Sequence, residues 1–370
     1  MRKANGSCDF LHYVNARPRV SIVISTRGRS DLFELTAESL RKQQYESWEA
    51  IVVDDDSSAD EFRKISAIAA RDGRMRLERN AAKRRGGAAC RNAGLSLATG
   101  EYVVFLDSDD ALSPECLLNR VELMDQNREL DFMVFPSRVF SQQPGDSELF
   151  WNGFDDRDDL ERFLRQDMPW QTTGPIWRRE SLARAKLAWD ERAKSWQDWE
   201  FHIRALALGL RYRKVPKPDC YYRCDWKRGM TNSSFAPSKV FNRARMLCRL
   251  AAFFEAQGTA TTANRRLLAA HLFRHAFSSG MRKGRACLIW RMGYKSGLVN
   301  AMSFYSVVLS RTLVWLTARI TRSLERRAVP ESGAVHVGTH LKATEPWLKA
   351  RATQNPAATA LRKHEPAPQV

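Results

Sequence analysis

The chain has 370 residues, 44% of them hydrophobic, which is enough for one large domain and an appendage. Its formal net charge of +18 comes mostly from residues 241–327, which hold 16 basic and two acidic side chains. This distribution argues against a nucleic-acid enzyme with a basic cleft and indicates an acidic surface as the partner of the C-terminal part. The seven cysteines are scattered and odd in number, so they indicate a reducing cytoplasm rather than a disulfide framework.

Strand and helix patterns alternate through the first 136 residues. Apolar runs predict buried strands at 19–25, 48–53, 75–78, 102–106 and 132–136. Helical spacing predicts helices from Ser30 onward and over 59–71, 88–97 and 114–128. Gly100 is expected to end the third helix as its C-cap. The alternation is typical of βαβ units, so we expect a parallel sheet with right-handed crossovers.

The following stretch is less regular. Residues 141–159 are polar and predict a loop. Residues 171–180 lead into a helix, and another helix begins near Ser195. Short strands are predicted at 210–215 and 219–223.

Polar clusters follow three of the predicted strands, at 25–29, 54–58 and 107–110. Ligands of open α/β sheets bind at the carboxyl ends of the strands, and Asp-x-Asp there offers the oxygen ligands that Mg²⁺ or Mn²⁺ prefers. The alternative is that Asp110 or Ser113 caps a helix beginning at Pro114, which would leave Asp107 and Asp109 unexplained. A dinucleotide or P-loop site is not supported, because neither glycine-rich motif follows the first strand.

Together these segments resemble glycosyltransferase family 2, a family of inverting enzymes with the GT-A fold. The resemblance covers residues 19–223 and rests on 20–24, 51–60, 91–95 and 98–110. It implies an α/β, Rossmann-like, mostly parallel sheet, to which the basic helical region is a C-terminal extension. The chain is similar to bacterial, non-processive members, since it lacks the Gln-x-x-Arg-Trp motif of processive synthases.

The resemblance implies roles for the matching polar residues. Binding of the nucleotide sugar is implied for Ser25, Thr26, Arg27, Asp54, Asp55, Lys83, Arg91 and Asp107. Asp107 and Asp109 are similar to the family's Asp-x-Asp, which holds Mn²⁺ or Mg²⁺ on the diphosphate, and Asp198 aligns with the catalytic base. Without the resemblance, Asp198 would be interpreted as an N-cap or as the partner of Arg204. Glu200, two residues further along the same helix, is expected to face away.

Four features depart from the family pattern, and one of them is Cys90, which replaces the alanine before Arg91-Asn92. Gln197 stands where these enzymes usually carry Glu, and Asp56 replaces the glycine of Asp-Asp-Gly-Ser. Arg27-Gly28 stands where Tyr-Asn is usual, so an arginine plane would have to replace an aromatic ring stacked on the base. None of these changes removes an implied metal ligand or the implied base.

The implied activity is metal-dependent transfer of a sugar, with inversion, from a nucleotide-diphosphate sugar to a hydroxyl of a saccharide or lipid-linked glycan in cell-surface polysaccharide synthesis. The leaving diphosphate gains charge that a metal offsets, and the acceptor hydroxyl needs a base. One alternative is a nucleotidyltransferase acting on a sugar phosphate, although 26–29 is a poor imitation of its glycine-rich loop. The other is a degenerate transferase scaffold, against which the retained Asp107, Asp109 and Asp198 argue.

Four regions are expected: a lead-in (1–18), the transferase domain (19–235), a basic helical region (236–327) and a disordered tail (328–370). Residues 297–320 are apolar apart from Arg311 and a polar side, which predicts an interfacial helix on an anionic membrane. A transmembrane span and a helix packed on the transferase domain are the alternatives. Since Met1-Arg2-Lys3 begins no apolar signal peptide, we expect a cytoplasmic protein, peripheral on the inner membrane, with no nucleic-acid partner.

Overall fold

The computed structural model describes residues 18–224, 237–276 and 283–299. The chain divides into two compact units, residues 1–232 and 233–370. The predicted domain boundary at 235, nearly all of the lead-in, the tail and most of 297–320 lie outside the described residues.

The first unit contains a seven-stranded sheet and a three-stranded sheet. The strands are β1 (Val20–Thr26), β2 (Trp48–Asp54), β3 (Met75–Arg79), β4 (Tyr102–Asp107), β5 (Ala111–Leu112), β6 (Phe132–Val134), β7 (Ser137–Phe140), β8 (Pro175–Arg178), β9 (Tyr212–Lys214) and β10 (Cys220–Arg223). The helices are α1 (Ser30–Arg41), α2 (Ala59–Ala69), α3 (Gly87–Leu97), α4 (Cys116–Gln126), α5 (Asp159–Leu164), α6 (Arg179–Arg184) and α7 (Gln197–Ala207). The large sheet has the order β3-β2-β1-β4-β8-β6-β9, and the small sheet has the order β5-β10-β7.

The parallel half of the large sheet forms where the sequence predicts it. β1 pairs in parallel with β2 and β4, and β2 pairs in parallel with β3. Both faces of β1 are buried: Ile22 and Ile24 belong to the same core cluster as Phe33 of α1, and Val23 lies against Gly94 of α3. Burial on both faces explains why these strands are predominantly apolar rather than alternating between apolar and polar residues. The predicted α/β, mostly parallel fold is confirmed.

Two local predictions need correction. α3 ends at Leu97 with Ala98 as its C-cap, so Gly100 is not the cap. A Cβ on Gly100 would lie 2.7 Å from the Ser21 backbone nitrogen, so glycine there permits the close approach to β1. In addition, residues 171–180 do more than lead into a helix, because β8 inserts antiparallel between β4 and β6.

The antiparallel half of the sheet has an aromatic core. Phe132 stacks on Trp177 with ring centroids 4.2 Å apart, and Trp189 stacks on Phe201 of α7, also at 4.2 Å. His202 of α7 is buried among these rings, and burial lowers its pKa to about 3. A neutral histidine therefore serves as a core residue here, and the aromatic core fixes α7 on the sheet.

In the second unit, the described residues form α8 (Pro237–Ala256), α9 (Thr262–Ala276) and α10 (Lys283–Lys295). Apolar side chains from each helix are buried, including Leu247, Leu250, Phe254, Leu268, Leu272 and Ile289. Across 18–224, 237–276 and 283–299, no helix combines the length and apolar character that crossing a membrane requires. The helical character predicted for this region is thus seen over the described part of 236–327.

Candidate active site

Asp54 connects the polar turns that follow β1 and β2. Its carboxylate accepts hydrogen bonds from the Ser57 N–H at 3.1 Å and from the Ser57 hydroxyl. Ser57 Oγ in turn accepts from the Gly28 N–H at 2.6 Å. Thr26, the last residue of β1, lies in register with Asp54, and Ser25 precedes it. The sequence-predicted residues of the first two strand ends are therefore adjacent.

Asp55 holds the loop that leads into α3. Its Oδ1 accepts from the Gly86 N–H at 2.9 Å and from Asn80 Nδ2 at 3.2 Å. Asn80 directly follows β3 and is buried, so a fourth strand end contributes to the site. Sequence reasoning missed Asn80, although a polar residue directly after a predicted strand was the signal used for the other three. Lys83 lies in the same loop and is exposed.

Arg91 of α3 connects the end of β4 to the start of α7. Its guanidinium donates to Asp107 Oδ1 and, through Nη1, to Gln197 Oε1 at 2.9 Å. Its Cζ lies 4.6 Å from the centre of the Trp189 ring. Only 7% of Arg91 is exposed, so these contacts hold it in one position. Because Gln197 precedes Asp198, Arg91 connects the Asp-x-Asp turn to the segment that carries Asp198.

Asp109 is paired with Arg29, the residue before α1, with 3.0 Å between Oδ2 and Nη1. Burial and the neighbouring Asp107 carboxylate raise the pKa of Asp109, because both disfavour a second negative charge. A cation between the two carboxylates would relieve this repulsion, and carboxylate oxygens are the ligands that Mg²⁺ and Mn²⁺ prefer. Among the described residues no group of three side chains suits a metal, so further ligands would be water and phosphate oxygens.

Asp110 has a structural role. Its carboxylate accepts from the Thr173 hydroxyl at 2.9 Å and from the Arg223 N–H at 2.9 Å. The interpretation of Asp110 or Ser113 as a helix cap is wrong, because α4 begins at Cys116 with Glu115 as its N-cap. Asp110 is buried where β5 meets β10 and therefore joins the two sheets behind the Asp-x-Asp turn.

Asp198 is the second residue of α7, and its Oδ1 accepts from the Trp199 N–H at 2.9 Å. Burial raises the pKa of Asp198, and the Asp107 carboxylate raises it further. The alternative interpretation of Asp198 as the partner of Arg204 is wrong, because Arg204 Nε donates to Glu200 Oε1 at 2.6 Å. The Glu200 carboxylate is thus engaged within the helix.

Three non-glycine residues next to these turns have a left-handed backbone conformation. They are Arg29, Asp56 and Trp196, with φ values of 59°, 68° and 59°. Trp196 is the N-cap of α7, so Asp198 does not occupy that position. The positive φ of Asp56 explains why glycine is favoured there, since glycine adopts this conformation without steric cost.

The predicted site residues thus differ in how the structure places them. Asp54 and Asp107 end strands, Asp55 and Asp109 lie in the turns that follow them, Arg91 lies within α3, and Asp198 lies in the first turn of α7. Hydrogen bonds connect these elements. Ser25 Oγ lies 3.5 Å from the position of a Cβ on Gly87, beside Arg91 and Gln197. Arg27 and Lys83 are exposed, and the roles of all the predicted site residues stay predictions. Besides Asn80, sequence reasoning missed Arg29 as the partner of Asp109, because nothing in the sequence pairs it with a turn 80 residues away.

Comparison with known proteins agrees with this geometry. A family profile described as glycosyl transferase family 2 matches residues 21–185. The amylovoran biosynthesis glycosyltransferase AmsB of Erwinia amylovora is 28% identical over 211 residues, which are 55% of this chain and 68% of that protein. The UDP-Glc:alpha-D-GlcNAc-diphosphoundecaprenol beta-1,3-glucosyltransferase WfaP of Escherichia coli is 33% identical over 136 residues, 34% of this chain and 52% of that protein.

A further relative and a solved structure extend the comparison. The putative teichuronic acid biosynthesis glycosyltransferase TuaG of Bacillus subtilis is 35% identical over 130 residues, 34% of this chain and 46% of that protein. The crystal structure of S. aureus TarS 1-349 in complex with UDP superposes with a TM-score of 0.52 at 19% identity, covering 70% of this chain and 72% of that one. The matched segments thus span about two thirds of AmsB and about half of WfaP and TuaG. Residues 21–185 thus match glycosyltransferase family 2, and the mixed, mostly parallel sheet of the chain has a GT-A fold.

Proposed function

We propose that this chain transfers a sugar, with inversion, from a nucleoside diphosphate sugar to a hydroxyl of a saccharide or lipid-linked glycan. The observation that carries the proposal is the Arg91 bridge. One buried guanidinium contacts Asp107 of the Asp-x-Asp turn and Gln197, the neighbour of Asp198. The groups that the leaving diphosphate and the attacking hydroxyl would need are thereby connected in one rigid arrangement.

The nucleoside would bind at the turns after β1, β2 and β3. Asp54 and Asp55 are buried and oriented by Ser57, Asn80 and Gly86. Carboxylates held in this way accept hydrogen bonds from ribose hydroxyls or base amides at fixed positions. Ser25, Thr26, Arg27 and Lys83 surround these turns in sequence and complete the proposed binding set.

The diphosphate would lie at Asp107 and Asp109, which would hold Mg²⁺ or Mn²⁺. The bound ion would supply positive charge to the diphosphate as it leaves. Asp109 exchanges its present partner readily, because the Arg29 side chain is 55% exposed. Arg91 remains on Asp107 and keeps that carboxylate oriented.

Asp198 would take the proton of the acceptor hydroxyl as it attacks the anomeric carbon. A carboxylate whose pKa is raised by burial is a stronger base than one in water, which suits it to accept the proton of a hydroxyl. Attack from the side opposite the diphosphate inverts the anomeric centre. Glu200 is not suited to this role because it is bound to Arg204.

The relatives suggest where the reaction belongs. AmsB is named for amylovoran biosynthesis and TuaG for teichuronic acid biosynthesis. The name of WfaP gives its acceptor as alpha-D-GlcNAc-diphosphoundecaprenol. We therefore propose that this chain acts in cell-surface polysaccharide synthesis on a lipid-linked acceptor.

The deciding experiment is hydrolysis of nucleotide sugars by the full chain, measured across UDP-, GDP- and dTDP-sugars with Mg²⁺, Mn²⁺ or excess chelator. We expect one nucleotide class to be hydrolysed, and the reaction to stop in chelator and in Asp109→Asn. Asp60→Asn is the matched control, because Asp60 is an exposed carboxylate of α2 whose ion pairs with described residues are those with Arg63 and Lys64 of the same helix. Full activity in excess chelator would refute the proposed requirement for Mg²⁺ or Mn²⁺. Pyrophosphate exchange with nucleoside triphosphates would favour the nucleotidyltransferase, and no turnover at all would favour the scaffold.

We further propose that the second unit contacts an anionic membrane surface on the cytoplasmic side. α10 exposes Leu288 and Tyr294, at 52% and 57%, next to exposed Arg291 and Lys295. Apolar and aromatic side chains mixed with cations are typical of helices that lie at a lipid interface. Such a position would bring the active site to membrane-bound acceptors.

Co-sedimentation with vesicles tests this surface. The full chain should pellet with phosphatidylglycerol vesicles, less so at high salt, and only weakly with phosphatidylcholine. Replacing Arg291 and Lys295 together by Glu should release it, and a chain ending at residue 232 should stay in the supernatant. Equal partitioning of all three proteins would refute the membrane contact.

A further inference from the structure

An aromatic pair lies beside the Asp-x-Asp turn on the side of the small sheet. Trp151, in the loop after β7, and Tyr222 of β10 have ring centroids 4.7 Å apart with planes tilted by 57°. Both residues are half-buried, so part of each remains accessible to a ligand. None of the roles proposed above uses either ring.

The hydrogen bonds of the next residue fix the position of Tyr222. The Arg223 N–H donates to the Asp110 carboxylate at 2.9 Å, and Arg223 Nε donates to the Asp109 carbonyl at 3.0 Å. Burial raises the pKa of Tyr222, and so do the carboxylates of Asp110, Asp198 and Asp107. Tyr222 therefore lies beside the Asp-x-Asp turn that its neighbour Arg223 binds, and the Asp198 carboxylate is near enough for its charge to act on the Tyr222 hydroxyl.

Trp151 is held by a short hairpin. The Val139 N–H donates to the Leu149 carbonyl at 2.7 Å, and the Trp151 N–H donates to the Ser137 carbonyl at 2.9 Å. At the start of the same loop, Arg223 Nη1 donates to the Ser141 carbonyl at 2.8 Å. The loop is thus attached at both ends to β7 and to the residue that contacts Asp109, so the indole is positioned before any ligand arrives.

The two rings differ in position from the proposed nucleoside site. The nucleoside residues follow β1, β2 and β3, on one side of β4 in the large sheet. The small sheet begins at β5, directly after the Asp107–Asp110 turn, and β10 and β7 follow it there. A ligand on Trp151 and Tyr222 would therefore lie beyond the diphosphate, near Asp198.

We propose that Trp151 and Tyr222 form a binding site for a sugar ring of the acceptor, an inference that rests on the transferase function proposed above. The faces of aromatic rings carry partial negative charge and bind the C–H groups on the apolar face of a pyranose. A sugar stacked there presents its hydroxyls at the ring edge. The arrangement selects a saccharide acceptor over an aliphatic or peptide hydroxyl, and it places the attacking hydroxyl beside Asp198.

Binding of octyl β-glycosides tests the site directly. The probes are the glucoside, galactoside, N-acetylglucosaminide and mannoside, and their binding to the full chain with UDP and Mg²⁺ is measured by saturation-transfer NMR. For a glycoside that binds, Trp151→Ala should weaken the affinity by about tenfold, which corresponds to about 1.4 kcal/mol. Trp151→Phe keeps a ring and should restore most of the affinity. Phe150→Ala is the matched control, because Phe150 is the adjacent aromatic and lies over Arg138 instead.

The proposal is overturned if Trp151→Ala binds the glycosides as the unaltered chain does, or if no glycoside binds the unaltered chain. It is equally overturned if UDP affinity falls together with glycoside affinity, since the rings would then serve the nucleotide. Nucleotide-sugar hydrolysis in the absence of acceptor should be the same in all three variants. If the unaltered chain hydrolyses no nucleotide sugar, the transferase function itself is refuted. Failure of the acceptor site and failure of the transferase function are therefore distinguishable.

Discussion

Asp198→Asn is expected to separate chemistry from binding. The amide keeps the size of the carboxylate, and its Oδ1 retains the hydrogen bond from the Trp199 N–H that is 2.9 Å long in this structure. The pairing of Glu200 with Arg204 further along α7 is untouched. The fold and the nucleotide site, which lies on other elements, should therefore be preserved.

The size of the effect follows from the lost proton transfer. A positioned general base contributes roughly 10²- to 10⁴-fold, which corresponds to about 3–5.5 kcal/mol of activation free energy. The turnover number for transfer should fall by that factor, while the dissociation constant of the nucleoside diphosphate, measured by calorimetry, changes only a few-fold.

The pH profile gives a second readout. Because only the ionised carboxylate accepts a proton, turnover of the unaltered chain should fall as the pH drops through the pKa of Asp198. Burial raises that pKa, so the fall should begin at a higher pH than for an ordinary aspartate. The residual turnover of Asp198→Asn should lack this limb.

Glu200→Gln serves as the control within the same helix. Its carboxylate binds Arg204 rather than facing substrate, so turnover should change little even though stability decreases. If Asp198→Asn loses donor binding together with turnover, or if Glu200→Gln shows the larger loss of turnover, Asp198 is structural and the assignment of the base is wrong.

Three further outcomes are expected. Arg29→Ala should tighten Mn²⁺ binding, measured by electron paramagnetic resonance without nucleotide, because it removes the cation paired with Asp109; unchanged or weaker binding would place the metal elsewhere. Arg120→Met should lower the free energy of unfolding, measured in urea, by about 3–5 kcal/mol, because it leaves the Asp219 carboxylate buried without its bidentate partner. A loss below 1 kcal/mol would mean that water hydrates the Asp219 carboxylate in the variant. Asp56→Gly should raise that free energy by up to about 1 kcal/mol by relieving the left-handed backbone; a lower value would show that the side chain stabilises the turn.

The parallel half of the fold could be predicted because its signals are local. β1, β2 and β4 are six or seven residues long and almost entirely buried, so each produces a predominantly apolar run, with Ser21 in β1 and Glu49 in β2 as polar interruptions. The carboxyl ends of parallel strands lie at one edge, so the polar residues that follow them had to be neighbours. Asn80 directly follows β3, so the same rule, applied to this strand as well, predicts that Asn80 lies at the site.

The small sheet could not be predicted in this way. β5 has two residues, and it pairs with β10 over 100 positions later in the chain. The sequence predicts a strand at 219–223, where β10 lies, but a two-residue strand such as β5 carries no periodicity. The pairing of the two depends on tertiary contacts such as the buried Asp110 carboxylate, which binds Thr173 and Arg223. Aspartate caps helices because its carboxylate oxygens accept hydrogen bonds from backbone N–H and hydroxyl groups. The same property lets Asp110 bind Thr173 and Arg223, so the sequence alone does not distinguish the two roles.

The two arginines at the Asp-x-Asp turn indicate how the site would admit its ligands. Arg29 makes one 3.0 Å contact with Asp109 from a side chain that is 55% exposed, so water can hydrate its guanidinium when the pair separates. Arg91 is buried and contacts Asp107, Gln197 and the Trp189 ring at once, so moving it would break several contacts together. A divalent cation that displaces Arg29 therefore breaks only this one contact with Asp109. Arg91 stays in place and holds the turn in a fixed position relative to α7. On this reasoning the cationic partner of Asp109 can be exchanged, whereas the cationic partner of Asp107 stays bound. A site that binds and releases a charged donor would need this difference between its two carboxylates.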